Sequence, residues 1–273
     1  MGLWKNLIYE MDRFWKWLLT VAVVFILAQF TGIYFFAQKK MIYVNDYMEM
    51  NRWTIEDYIK NIGDDFSSDY FSSNFYELTI FIPFFFLFGY TLWIWYKDWV
   101  GRQKTAYRIY MLLQSRVHVY FAKLIIIISS VLFFIGLQFI LYPLEIMFLK
   151  TLMPIELLPN LETELILRTG FMGLITPLAT SNFFIIYFVG FTIVLAMFWF
   201  VLVERSYRLR FAILFSLAYM IIICGIYIIF GLTSSKFGLL PFEEIIIFLF
   251  LIAINASLLL AHSLFMITKK IIV

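Results

Sequence analysis

Six stretches of this chain hold no Asp, Glu, Lys or Arg and are long and apolar enough to cross a bilayer. They cover about residues 17–36, 78–96, 124–142, 183–203, 211–230 and 245–267. The hydrocarbon core takes about 20 apolar residues as a helix. In lipid, every backbone N–H and C=O must be satisfied within the segment, so such runs are helices. The expected fold is therefore all-α: a polytopic membrane protein with six transmembrane helices. Over 273 residues the chain is 63% hydrophobic and 14% charged, against about 25% charged in a soluble domain. Little is left over for a separate soluble domain, and residues 1–273 read as a single membrane domain. One cysteine, Cys224, excludes an intramolecular disulfide and a cysteine-based metal cluster.

The distribution of charge predicts the orientation. The N-terminus, the 97–123 loop, the 204–210 turn and the tail together carry 14 Lys/Arg, and the opposite side carries seven. The acids run the other way, four against 14. The basic side is the cytoplasmic one, which puts both termini in the cytoplasm.

Two segments on that side stand out. In residues 2–16, Leu3, Trp4, Leu7, Ile8, Met11, Phe14 and Trp15 recur at helical spacing, with Lys5, Glu10, Asp12, Arg13 and Lys16 between them. This predicts an amphipathic helix lying in the membrane interface. The 97–123 loop is basic, and its middle, Thr105–Gln114, contains no Gly or Pro. Ala106, Tyr107, Tyr110, Met111 and Gln114 fall on one stripe of a short helix. On the other side, the acidic segment 37–77 includes the pattern WTIEDYIKNI, which predicts a short surface helix. Pro83 is expected near an end of the second span, and FMGLITP at 171–177 is too short to cross.

Little catalytic chemistry is visible. The chain has no G-x-x-x-x-G-K-[ST] phosphate loop and no H-E-x-x-H zinc motif. No catalytic, cofactor-binding or metal-binding residue is expected, and the chain is not read as an enzyme. His262 lies in the last span, where hydrogen-bonded packing against a neighbouring helix is the expected role. Glu243 and Glu244 follow Pro241 in the first turn of a helix, where the dipole favours acids. Gln29, Thr31, Ser129, Ser130, Gln138, Thr192, Ser216 and Asn255 are small polar groups within spans. They would serve either as glue between helices or as the lining of a path for amphiphilic cargo.

An N-terminal interfacial helix, six spans and a cytoplasmic helix after the second span resemble the permease subunits of type-2 ABC exporters. In that family the second span often ends in E-x-x-x-G, followed by a K/R-T segment, a Ser-Arg pair and a Lys leading into the third span. The matching residues are Asp98-Trp99-Val100-Gly101, Lys104-Thr105, Leu112-Leu113, Ser115-Arg116 and Lys123. Asp98 replaces the Glu one residue closer to the Gly, and Gln114 stands where Pro is common. Family members often have a re-entrant hairpin between the last two spans. Here that loop is short, and the long segment, 143–182, lies between the third and fourth spans.

The resemblance implies a half-transporter in the plasma membrane of a bacterial cell. It would pair with a second permease copy or a paralogue, as homo- or heterodimer, and bind separate ABC ATPase subunits. By that resemblance, the segment after the second span is a coupling helix, braced by the N-terminal helix. Its ATPase-docking residues would be Arg102, Lys104, Tyr107, Arg108, Tyr110 and Met111. ATP would be used by the partner, with no cofactor on this chain and no nucleic-acid partner. The expected cargo is a peptide, antibiotic, lipid or other amphiphile. The alternatives are a membrane scaffold or sensor that binds a ligand on its acidic side, and an integral-membrane lipid enzyme.

Overall fold

The computed structural model describes residues 2–62, 73–99, 116–158, 180–207, 209–237 and 240–270. Among these, every regular element is helical. Helix α1 is Gly2–Asn51, α2 Ile55–Ile62, α3 Asn74–Trp99, α4 Arg116–Leu152, α5 Thr180–Tyr207, α6 Leu209–Phe237 and α7 Pro241–Phe265. A 3-10 turn follows α4 at Ile155–Leu157, and a π turn ends α7 at Met266–Lys270. Helices α1, α3, α4, α5, α6 and α7 are long and apolar enough to cross a membrane. The chain is thus all-α with the architecture of a multi-pass membrane protein.

The first helix differs from expectation. Residues 2–16 are not set apart from the first span, and residues 37–51, the first part of the acidic segment, continue the same helix. All belong to one helix of 50 residues, about 75 Å long at a rise of about 1.5 Å per residue. No proline interrupts it. One face is buried along the helix and mostly small or apolar, with Phe14, Leu18, Ala22, Phe25, Ile33, Ala37 and Val44 at helical spacing and Glu10 and Gln29 as its polar members. Lys39, Asp46 and Glu49 lie on the exposed faces. Their polarity therefore marks an amphipathic continuation of the helix.

Helix α1 stops at Arg52, whose φ of 55° is left-handed. The Trp53 N–H donates back to the Met48 carbonyl at 3.0 Å, closing the last turn. Thr54 then starts α2 with a reciprocal cap. Its N–H and hydroxyl donate to Asp57 Oδ2 at 3.1 and 2.8 Å, and the Asp57 N–H donates to the Thr54 hydroxyl at 3.3 Å. The short surface helix expected from WTIEDYIKNI is α2. Pro83 falls well inside α3 and Pro143 inside α4. Each removes one intrahelical hydrogen bond. For Pro83 this corrects the expected place near a helix end, because α3 begins as early as Asn74.

The chain divides into two compact units. One comprises Met1–Asp12, Phe88–Ile128 and Phe184–Val273; the other comprises Arg13–Leu87 and Ser129–Phe183. In the first, Trp95 of α3, Tyr120 of α4 and Phe198 of α5 pack edge to face or tilted. Their ring centroids are 5.3 Å apart for Trp95–Phe198 and 5.5 Å for Tyr120–Phe198. Helix α6 buries only Ala212 and Ser234 among its described side chains, leaving Leu214, Ile221 and Ile228 open. In the second unit, Ile33 and Val44 of α1, Tyr58 of α2, Tyr76 of α3 and Leu149 of α4 close a core with Leu157 of the 3-10 turn. The acidic stretch after the first span is therefore built partly as packed helix.

Candidate functional site

The first unit contains a buried cluster of four charges. Glu10 lies one turn before Phe14 and two before Leu18, on the buried stripe of α1. Lys97 and Asp98 occupy the last turn of α3, and Lys123 lies two turns into α4. Lys123 Nζ is 3.2 Å from Glu10 Oε1 and pairs with Asp98 Oδ2. It also donates to the Ile94 carbonyl. Lys97 Nζ is 2.9 Å from Glu10 Oε2, an ion pair by distance whose angles are not those of a hydrogen bond. The same ammonium donates to the Tyr90 hydroxyl at 3.0 Å.

The side chains of Lys123 and Glu10 are only 1% and 3% exposed. Such charges are stable in that setting only when paired. Two acids and two bases balance formally. Both ammonium groups also sit at the C-terminal end of α3, where the helix dipole favours cations. Aromatic faces complete the shell: Lys123 lies 5.1 Å from the Trp95 ring centroid and Lys97 5.3 Å from that of Tyr90. No chemistry follows from such a neutralised set. Its effect is geometric, tying α1 to both helices that flank residues 100–115.

The expected docking residues Arg102, Lys104, Tyr107, Arg108, Tyr110 and Met111 lie outside the described residues, as does the 171–177 segment. Of the motif residues, Asp98 and Lys123 are brought into direct contact. Sequence reasoning missed Glu10, which it counted among the polar fillers of an interfacial helix. The available signal was its register, i, i+4, i+8 with Phe14 and Leu18.

Other expectations find their partners. His262 Nδ1 accepts from Trp199 Nε1 at 2.6 Å, an α5–α7 contact. Asn255 of α7 accepts from the Tyr219 hydroxyl of α6. Glu243 accepts from the Leu240 N–H at 3.0 Å, and Glu244 accepts from Ser234 at 2.9 Å. The two acids thus serve the start of α7 and its tie to α6. Glu204 accepts from the Tyr96 hydroxyl, and the Arg205 guanidinium lies 5.0 Å from the Tyr96 ring centroid. In the second unit, Gln29 Nε2 donates to Gln138 Oε1 at 2.8 Å. Thr31, Thr192 and Ser216 bond to carbonyls of their own helices. No protein-family model matches this chain, and neither a curated protein nor a solved structure matches it.

Proposed function

We propose that this chain is the membrane-spanning permease subunit of an ATP-binding-cassette exporter, energised by separate ATPase subunits and moving a peptide, lipid or other amphiphile. The observation that carries the reading is the buried cluster Glu10–Lys97–Asp98–Lys123. A loop that receives mechanical work from a soluble partner needs rigid ends. Asp98 and Lys123 bracket the basic loop and are joined to each other, and Glu10 joins both flanking helices to α1. These contacts support the bracing role expected of the N-terminal helix. A loop that only set topology would need basic charge and no buried ion-paired clamp at its base.

The partner ATPases dock on Tyr107, Tyr110 and Met111, with Arg102, Lys104 and Arg108 meeting acidic groups at the rim. The chain pairs with a second permease in the plasma membrane, both termini in the cytoplasm. The test is reconstitution. Alone in proteoliposomes the chain hydrolyses no ATP; with its partner ATPase, hydrolysis becomes dependent on the permease and on cargo. Specific ATP turnover by the isolated chain, or no association with any such ATPase, refutes the assignment.

A further inference from the structure

The second unit contains a line of neutral polar groups that ends on a buried acid. Gln29 of α1 donates to Gln138 of α4 at 2.8 Å, and Gln138 Nε2 donates to the Tyr76 hydroxyl of α3 at 2.9 Å. The Tyr76 hydroxyl donates to Glu145 Oε2 at 3.4 Å. Every donor points the same way, towards Glu145, so each bond polarises the next. Glu145 is 0% exposed. It lies just past Pro143, beyond the end of the apolar run 124–142, on the part of α4 that packs into the helical core.

The second carboxyl oxygen, Oε1, is buried with no hydrogen-bond partner. Among the described residues no Lys, Arg or His pairs with this carboxyl. Its titratable neighbours are Tyr76 on α3 and Tyr142, one turn back on α4. Helix α1 brings the neutral Gln29 and the apolar Ile33 and Ala37, and α2 brings Tyr58 to the same core. A carboxylate without a cation is far too costly in such surroundings, whereas a neutral acid is tolerated.

We propose that Glu145 is a proton-binding site, carrying its proton on Oε1 at neutral pH, at the end of the Gln29–Gln138–Tyr76 line. The ligand is a proton and the balance is simple: the O–H bond on Oε1 breaks and water takes the proton as pH rises. The ionised form leaves an uncompensated charge in the core of the second unit. That unit is therefore held closed by acid and loosened by alkali.

The test is infrared difference spectroscopy on the purified full-length chain in lipid nanodiscs, taken across a pH series. The spectrum of the wild type minus Glu145→Gln is expected to contain the C=O stretch of a protonated carboxylic acid at neutral pH. That band is expected to fade as pH rises. Tyr76→Phe removes a hydrogen bond that favours the ionised form, so it moves the fading to higher pH. Hydrogen exchange along Tyr142–Leu149 should accelerate with alkali in the wild type beyond the intrinsic pH effect, and not in Glu145→Gln. If Glu145→Gln fails to fold, the wild-type titration and its shift in Tyr76→Phe still decide. Carboxylate bands at neutral pH in place of the acid band overturn the proposal, since they mean an ionised Glu145 held by a cation. A wild type with no acid band that fades with alkali overturns it equally.

Discussion

Replacing Lys123 with Met isolates the charge that the buried cluster depends on. The methionine keeps most of the apolar stem against Trp95 and removes the ammonium. In the native cluster that ammonium faces Glu10 at 3.2 Å, Asp98 and the Ile94 carbonyl. After the change Glu10 keeps Lys97 at 2.9 Å, but Asp98 loses its buried ion pair with Lys123. Breaking a buried ion pair by removing one partner costs about 3–5 kcal/mol. The variant should lose that much stability in unfolding by denaturing detergent in mixed micelles, followed by tryptophan fluorescence. Adding Asp98→Asn removes the other charge of the broken pair and leaves the Glu10–Lys97 pair. The double variant should recover to within about 1 kcal/mol of the wild type, roughly the worth of an ordinary hydrogen bond. Such recovery is the coupling that a double-mutant cycle detects. A Lys123→Met protein as stable as the wild type, or a double variant worse than either single one, would show that these four groups are not an interdependent cluster.

Tyr107→Ala with Tyr110→Ala should weaken binding of the partner ATPase by about 2 kcal/mol or more, as lost aromatic anchors do; co-purification across a salt series measures it, and expression should persist. In a Cys224→Ser background, a cysteine at the exposed Asn45 should react with an impermeant thiol reagent in intact cells, and one at the exposed Tyr207 only after permeabilisation. Hydrogen bonds from Thr54 hold the Asp57 carboxyl below its ordinary range. The cap they form stabilises α2 above the ordinary Asp range and is lost as pH falls through the lowered value. Amide exchange at Tyr58 should report this loss, and Thr54→Ala, which keeps the backbone donor and removes the hydroxyl, should weaken its pH dependence.

The span helices were legible because lipid imposes one requirement on every residue of a run, and a requirement that uniform survives in composition. The reach of α1 was not legible. Residues 37–51 carry Lys39, Lys40, Asp46 and Glu49, which read as a polar segment after the span until Ile33, Ala37 and Val44 are seen in one core with Tyr76 and Leu149. The same holds for the acids. Glu10 and Glu145 look like surface residues because their local neighbours include polar groups. What buries them comes from α3 and α4 in one case and from α1, α2 and α3 in the other, far away in sequence. His262 and the Glu243–Glu244 pair were read correctly because their roles are set within a turn of helix or against one adjacent span.

The unbroken course of α1 also bears on how its polar part becomes ordered. Helix growth is cooperative, and only the first turn is costly. Residues 37–51 continue the helix of the apolar run before them, so they need no nucleus of their own. A stretch with Lys39, Asp46 and Glu49 therefore stays helical at the cost of propagation alone, and its end is set locally, by the left-handed turn at Arg52.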